Sequence, residues 1–180
     1  MDQRKQVASV TKTATIYTVI EVAKRYQLDL SQTRIKVCKL GSTICGTSAC
    51  LREGDIFTVE DLCYGLMLPS GNDAAFVLAK YFGKMLFEKK GYTDKDKSRI
   101  KSFEFDNHNT FVKYFLREMN EQAAALGMKN TNWDSPHGLA NKENLTTVAD
   151  MFKLSERVKT QPLHLKVNRT KIYTCTPMIE

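Results

Sequence analysis

The chain has 180 residues, 42% of them hydrophobic and 26% charged, with a formal net charge of +7. That balance predicts one globular domain with a real core, and it excludes a disordered or low-complexity polymer. No apolar run approaches the about twenty residues of a membrane span, and no hydrophobic segment follows the opening Met-Asp-Gln-Arg-Lys-Gln, so the chain as it stands is expected in the cytoplasm.

In chain order, Ser9-Val-Thr-Lys12 leads into a helical run, Thr13 to Tyr26, with Ala14, Tyr17, Ile20 or Val19, Ala23 and Tyr26 at helical spacing and Glu21, Lys24 and Arg25 left for solvent. If Ser9 begins that helix, it shares a face with Lys12. An amine kept unprotonated by burial can take the proton of a serine hydroxyl, and the helix N-terminus adds N–H groups where an oxyanion develops. A serine there is equally a common N-cap.

A turn at Leu28 to Ser31 and a short β-leaning run, Arg34 to Cys38, come next. Thr58-Val-Glu-Asp61 reads as a capping box opening a helix, Val59 to Leu68, with Leu62, Leu66 and Met67 inward and Pro69 as its stop. Ser70-Gly-Asn-Asp73 then forms a tight turn expected to present its side chains rather than bury them, before helical spacing resumes from Ala74 to Phe87.

The polar segment at about 84–107 reads as an insertion. Beyond it a helix opens at or just before Thr110, with Phe111, Phe115, Met119 and Ala123 as its stripe and Gly127 as its stop. Residues 128–139 are dense in turn formers. A last helix starts near Thr146 or Thr147, with Asp150 completing a second capping box and Met151, Phe152, Leu154 and Val158 along it. Leu165 to Cys175 has strand propensity.

Five cysteines, odd in number and without a Cys-x-x-Cys pair or matching histidines, argue against a metal site. They are expected to be reduced and mostly buried, with Cys45 and Cys50 close enough to bridge in an oxidising compartment. No cofactor is implied. A basic stretch, Lys153, Arg157, Lys159, Lys166, Arg169 and Lys171 with only Glu156 opposed, suits an acidic protein partner rather than nucleic acid, since no nucleic-acid motif accompanies it.

Ala-Ser9-Val-Thr-Lys12-Thr, Met67-Leu-Pro-Ser-Gly-Asn-Asp-Ala-Ala75 and Asn-Thr-Asn-Trp-Asp-Ser-Pro-His-Gly-Leu139, in that order, resemble the D-alanyl-D-alanine carboxypeptidase family of serine peptidases, relatives of penicillin-binding proteins and serine β-lactamases. The resemblance implies an α+β fold: one domain over residues 1–180, mainly the helical portion of a β-lactamase/transpeptidase-like fold with most of the central sheet missing. It makes Ser9 the acylated nucleophile, Lys12 its base, Ser70 a proton relay to the leaving D-alanine and Asn72 a holder of the substrate amide. His137 falls in a stretch with a loop-fixing role.

The implied substrate is a peptide ending in D-alanine, and the family usually works outside the cytoplasm. Two features depart from the family pattern. No Lys-Thr-Gly tripeptide is present; by the family's spacing that strand lies past Glu180, and eight residues precede Ser9 where two strands belong. The apolar faces around Val10, Ala14, Tyr17 and the Phe111 to Ala123 stripe are therefore expected to lack cover and to need partner chains. A non-catalytic structural or binding protein within a larger assembly is the alternative function.

Overall fold

The computed structural model describes residues 3–89, 107–139 and 142–178. A two-residue strand β1 (Lys5–Gln6) and a 3-10 turn (Ala8–Val10) lead into α1 (Thr11–Arg25). Then come β2 (Arg34–Lys36), a short α2 (Lys39–Ser42), β3 (Ile56–Thr58), α3 (Val59–Met67) and α4 (Asn72–Lys89). The last part holds α5 (Asn107–Ala125), β4 (Leu145–Thr146), α6 (Val148–Val158) and α7 (Pro162–Arg169).

Helices dominate, and the strands form two small antiparallel pairs. β1 meets β4, with Lys5 opposite Thr146, and β2 meets β3, with Ile35 opposite Phe57. The expected helical portion of an α+β fold with little sheet is what the described residues form.

α1 is the hub. From Thr11 to Ala23 it is buried on nearly every side, not on one face alone; Glu21 is half-buried, and Lys24 and Arg25 stay exposed. The reason is its neighbourhood, for α3, α4, α5, α6 and α7 all pack against it. A helix enclosed in this way holds whatever it carries at a fixed place. Arg25 anchors its end by a two-pronged ion pair to the buried Glu118 of α5, at 2.7 and 3.1 Å.

This packing overturns the expectation of uncovered helical faces. Ala14, Tyr17, Phe115, Met119 and Ala123 are buried against one another and their neighbours, leaving Val10 of that group exposed. α4 and α5 cross closely: a Cβ on Gly83 would lie 1.9 Å from the Phe111 carbonyl oxygen, so only glycine lets the backbones approach this far.

The Thr58–Asp61 capping box is present in both directions. The second is half present: Thr147 accepts from the Asp150 N–H, but the Asp150 carboxylate turns to Asn130 N, Thr131 and Lys153. Phe152 is exposed, while Leu154 and Val158 are buried.

Leu165 to Arg169 is helix, not strand. Pro162 at its first turn suits a helix start, and burying His164 and Val167 along an α3-facing helix outweighs weak strand propensity. α4 runs through Lys89, and residues 90–106 of the expected insertion lie outside the described residues.

Cys63 is buried, Cys38 half-buried, and Cys45, Cys50 and Cys175 are exposed; all five are free thiols, so they are not mostly buried and the Cys45–Cys50 bridge is not formed. The basic stretch is also less open than its sequence suggests, since Lys153, Lys159 and Lys166 pair with Asp150, Glu156 and Glu60.

Candidate active site

Ser9 lies in the 3-10 turn and not in α1 itself, yet the turn runs straight into the helix and keeps Ser9 and Lys12 on one side. Lys12 Nζ stands 3.1 Å from Ser9 Oγ. It also reaches Asn72 Oδ1 at 2.7 Å and the His137 carbonyl oxygen at 2.9 Å. Ser9 is exposed, whereas Lys12 is 2% exposed.

Burial lowers the Lys12 ammonium from 10.5 to about 8, against the opposing pull of the Asp73 charge. An ammonium donates to all three oxygens. The neutral amine has two hydrogens, enough for Asn72 and His137, and its lone pair is then left for the Ser9 hydroxyl proton.

Asn72 is the first residue of α4, and it is 2% exposed. This corrects the expectation that the turn presents it outward. Its side chain is oriented from behind: Nδ2 donates to the Cys45 carbonyl at 2.8 Å, which leaves Oδ1 facing Lys12. Its backbone N–H donates to the Thr47 carbonyl at 2.8 Å.

Ser70 is half-buried and sits at a left-handed φ of 57°, an uncommon place for a residue with a side chain. Its carbonyl accepts from Thr47 Oγ1 at 2.6 Å. Its hydroxyl makes no hydrogen bond to Ser9, Lys12 or Asn72, so the structure joins three of the four expected residues directly and leaves Ser70 on the adjoining turn.

The third wall is the segment 132–139, and four anchors hold it over α1. Asn120 clasps Trp133 through both backbone groups, and Asn144 Oδ1 accepts from Asp134 N and Ser135 N while its Nδ2 donates to Thr11 Oγ1. Thr15 Oγ1 donates to the Pro136 carbonyl at 2.6 Å, and Lys12 takes the His137 carbonyl. Gly138, at φ 81°, touches the turn that carries Ser9: a Cβ there would lie 1.8 Å from the Ala8 carbonyl oxygen.

His137 contributes its main chain to Lys12. Its ring Nδ1 accepts from Leu139 N, and burial with the nearby Lys12 charge pushes it down to about 4, so the ring is neutral at pH 7.

Sequence reasoning missed three supports of the cluster. Asp73 is 1% exposed, and its carboxylate accepts from Ser48 Oγ, Ala49 N, Leu51 N and Ala74 N. Its place directly after Ser-Gly-Asn, in the first turn of a helix, was the available signal. Asn144 and the His137 carbonyl gave none, because main-chain acceptors and distant amide pairings leave no periodic trace. Among the described residues, no group of three or more His, Cys, Asp or Glu side chains is arranged to hold a metal ion.

A buried lysine on the serine three residues before it, an asparagine from a Ser-Gly-Asn turn and a fixed His-Gly loop thus meet at one place. The family profile described as D-alanyl-D-alanine carboxypeptidase, peptidase family S11, matches residues 1–110 and 106–179. The chain belongs to this D-alanyl-D-alanine carboxypeptidase family.

The D-alanyl-D-alanine carboxypeptidase of Streptomyces sp. strain K15 is 35% identical over 128 residues, 71% of this chain and 37% of that protein. DacF of Bacillus subtilis is 23% identical over 157 residues, 87% of this chain and 33% of that protein. Among solved structures, the Streptomyces K15 DD-transpeptidase superposes with a TM-score of 0.78 at 32% identity, over 97% of this chain and 59% of that chain. The D-alanyl-D-alanine carboxypeptidase DacD of Francisella tularensis follows at a TM-score of 0.72 and 30% identity, over 93% of this chain and 34% of that one. The chain thus spans about three-fifths or less of the length of these relatives.

Proposed function

We propose that the chain carries the nucleophile-bearing part of a serine acyl-transfer site acting on peptides that end in D-alanine. Ser9 attacks the carbonyl of the peptide's last amide bond and forms an acyl-enzyme, and Lys12 takes the Ser9 proton. Ser70 relays the proton held by Lys12 to the departing D-alanine nitrogen, regaining from Lys12 the one it gives, and Asn72 offers its second Nδ2 hydrogen to the substrate amide. The site needs no cofactor for this chemistry.

The observation that carries the reading is the buried Lys12 amine, held at about 8 and 3.1 Å from an exposed Ser9 hydroxyl. At about 8, roughly one Lys12 in ten is the neutral amine at pH 7, against fewer than about one in a thousand for a surface lysine. Family kinship supports the substrate class and an extracytoplasmic place of work.

On a second reading, the helical unit serves as a structural or binding piece within a larger assembly. The two readings separate on treatment with a penicillin-type acyl donor and intact-mass measurement. One covalent adduct on the Ser9 peptide, absent from Ser9→Ala, supports acyl transfer; an unmodified chain supports the structural role.

A further inference from the structure

Asp73 is spoken for by neither reading, although it is fully buried and its carboxylate is crowded with donors. Oδ2 accepts from Ser48 Oγ at 2.7 Å, Ala49 N at 3.0 Å and Leu51 N at 3.2 Å, and Oδ1 from Ala49 N at 2.9 Å and Ala74 N at 2.8 Å. One side chain at the head of α4 therefore gathers the main chain of residues 48–51. A carboxylate this well supplied with donors holds them firmly.

The gathered segment is continuous with the groups that orient the candidate site. Cys45 and Thr47 supply the carbonyls that hold the Asn72 side chain and backbone, and Thr47 Oγ1 holds the carbonyl of the left-handed Ser70. Residues 45–51 thus form a cradle under the Ser70-Gly-Asn72 turn. The two surfaces are fastened by Asp73 at one end and Asn72 at the other.

We propose that Asp73 is the positioning residue of the Ser9–Lys12–Asn72 cluster, clamping the 45–51 cradle so that Asn72 Oδ1 is aimed at Lys12 Nζ. The proposal rests on the reading of Ser9 and Lys12 as nucleophile and base. Asp73 acts through Asn72 and the cradle, and touches no reacting atom. Its negative charge is also felt at Lys12, whose other close neighbours are Ser9, the Asn72 amide and the neutral His137 ring. Removing the charge favours the neutral amine, so the Lys12 titration moves to lower pH.

Two variants of the 180-residue chain test this by NMR, with no need for acylation, so a failure of the acyl-transfer reading leaves the result legible. In Asp73→Asn the Lys12 side chain should titrate below the wild-type midpoint, and the Ala49 and Leu51 amides should exchange about tenfold faster with solvent. Ser48→Ala, on an exposed residue, removes one bond to the clamp and keeps the charge. It should leave the Lys12 midpoint in place and speed Ala49 and Leu51 exchange about threefold.

A Lys12 midpoint unmoved by Asp73→Asn would reduce Asp73 to a purely structural bond-former and overturn the proposal. If Asp73→Asn does not fold, Ser48→Ala decides alone, and unchanged exchange at Ala49 and Leu51 overturns the clamp.

Discussion

Lys12 links the chemistry of the site to the stability of the fold. Its folded-state value of about 8 lies below the 10.5 of the unfolded chain, so between those pH values the unfolded chain binds a proton that the folded one does not. Folding stability from this group therefore rises as pH goes from about 8 to 10.5, and is lost as pH falls back to 8. The size is about 3 kcal/mol, from about 1.4 kcal/mol per unit. Denaturant unfolding of wild type and Lys12→Met across this range should show the extra upward slope in wild type alone. Parallel curves would mean that Lys12 is not held neutral by burial.

Backbone strain gathers at the same residues. Ala8 and Ser70, beside or within the candidate site, have φ values of 45° and 57°, which non-glycine residues adopt at a cost of about 1–3 kcal/mol. Gly138 fits against Ala8 where no side chain can. Gly138→Ala should lower stability by more than about 2 kcal/mol in chemical denaturation and displace the Ser9 turn, through both the clash and the positive φ.

At the scale of elements, the α4–α5 crossing supplies a test in which two effects have opposite sign. In an isolated helix, Gly83→Ala is favourable by about 1 kcal/mol. Here the new methyl lies 1.9 Å from the Phe111 carbonyl oxygen and 2.6 Å from its carbon, and backbone atoms have little room to yield. We expect a net loss of about 2 kcal/mol or more in thermal or denaturant melts. A stabilised variant would show that the crossing is looser than described.

The elements also show what the sequence allows a reader to see. The Thr58–Asp61 capping box and the Ser9–Lys12 pair are contacts between residues three apart, so their chemistry is written locally. Asn72 and Lys12 stand 60 residues apart, and no local rule brings them together; the family resemblance did that. Burial was harder still. α1 reads as amphipathic because Thr11, Thr15, Thr18 and Lys12 are polar, yet each is buried, with Thr15 and Lys12 donating to the loop carbonyls at 136 and 137. Strand propensity misread Leu165 to Arg169, where packing on α3 decides the conformation.

At the scale of the whole molecule, the helices cover one another closely. Among the described residues the exposed large apolar groups are Val10, Leu68, Val148, Phe152, Ile172 and Tyr173, and Tyr173 is half-tied by stacking on Tyr64 with centroids 3.6 Å apart. Val148 and Phe152 lie one turn apart on α6, 71% and 66% exposed. With its core closed by α1 and its neighbours, the chain should melt in one cooperative transition. Gradual, non-cooperative melting in calorimetry would restore the earlier expectation that partner chains are needed for folding.

The role of Lys12 as the base for Ser9 is tested most directly by the pH dependence of Ser9 labelling with a penicillin-type acyl donor, followed by mass spectrometry in wild type and Lys12→Met. The expected rate climbs about tenfold per pH unit below about 8, levels off above it, and vanishes with Lys12→Met. A flat profile, or equal labelling of Lys12→Met, would contradict it.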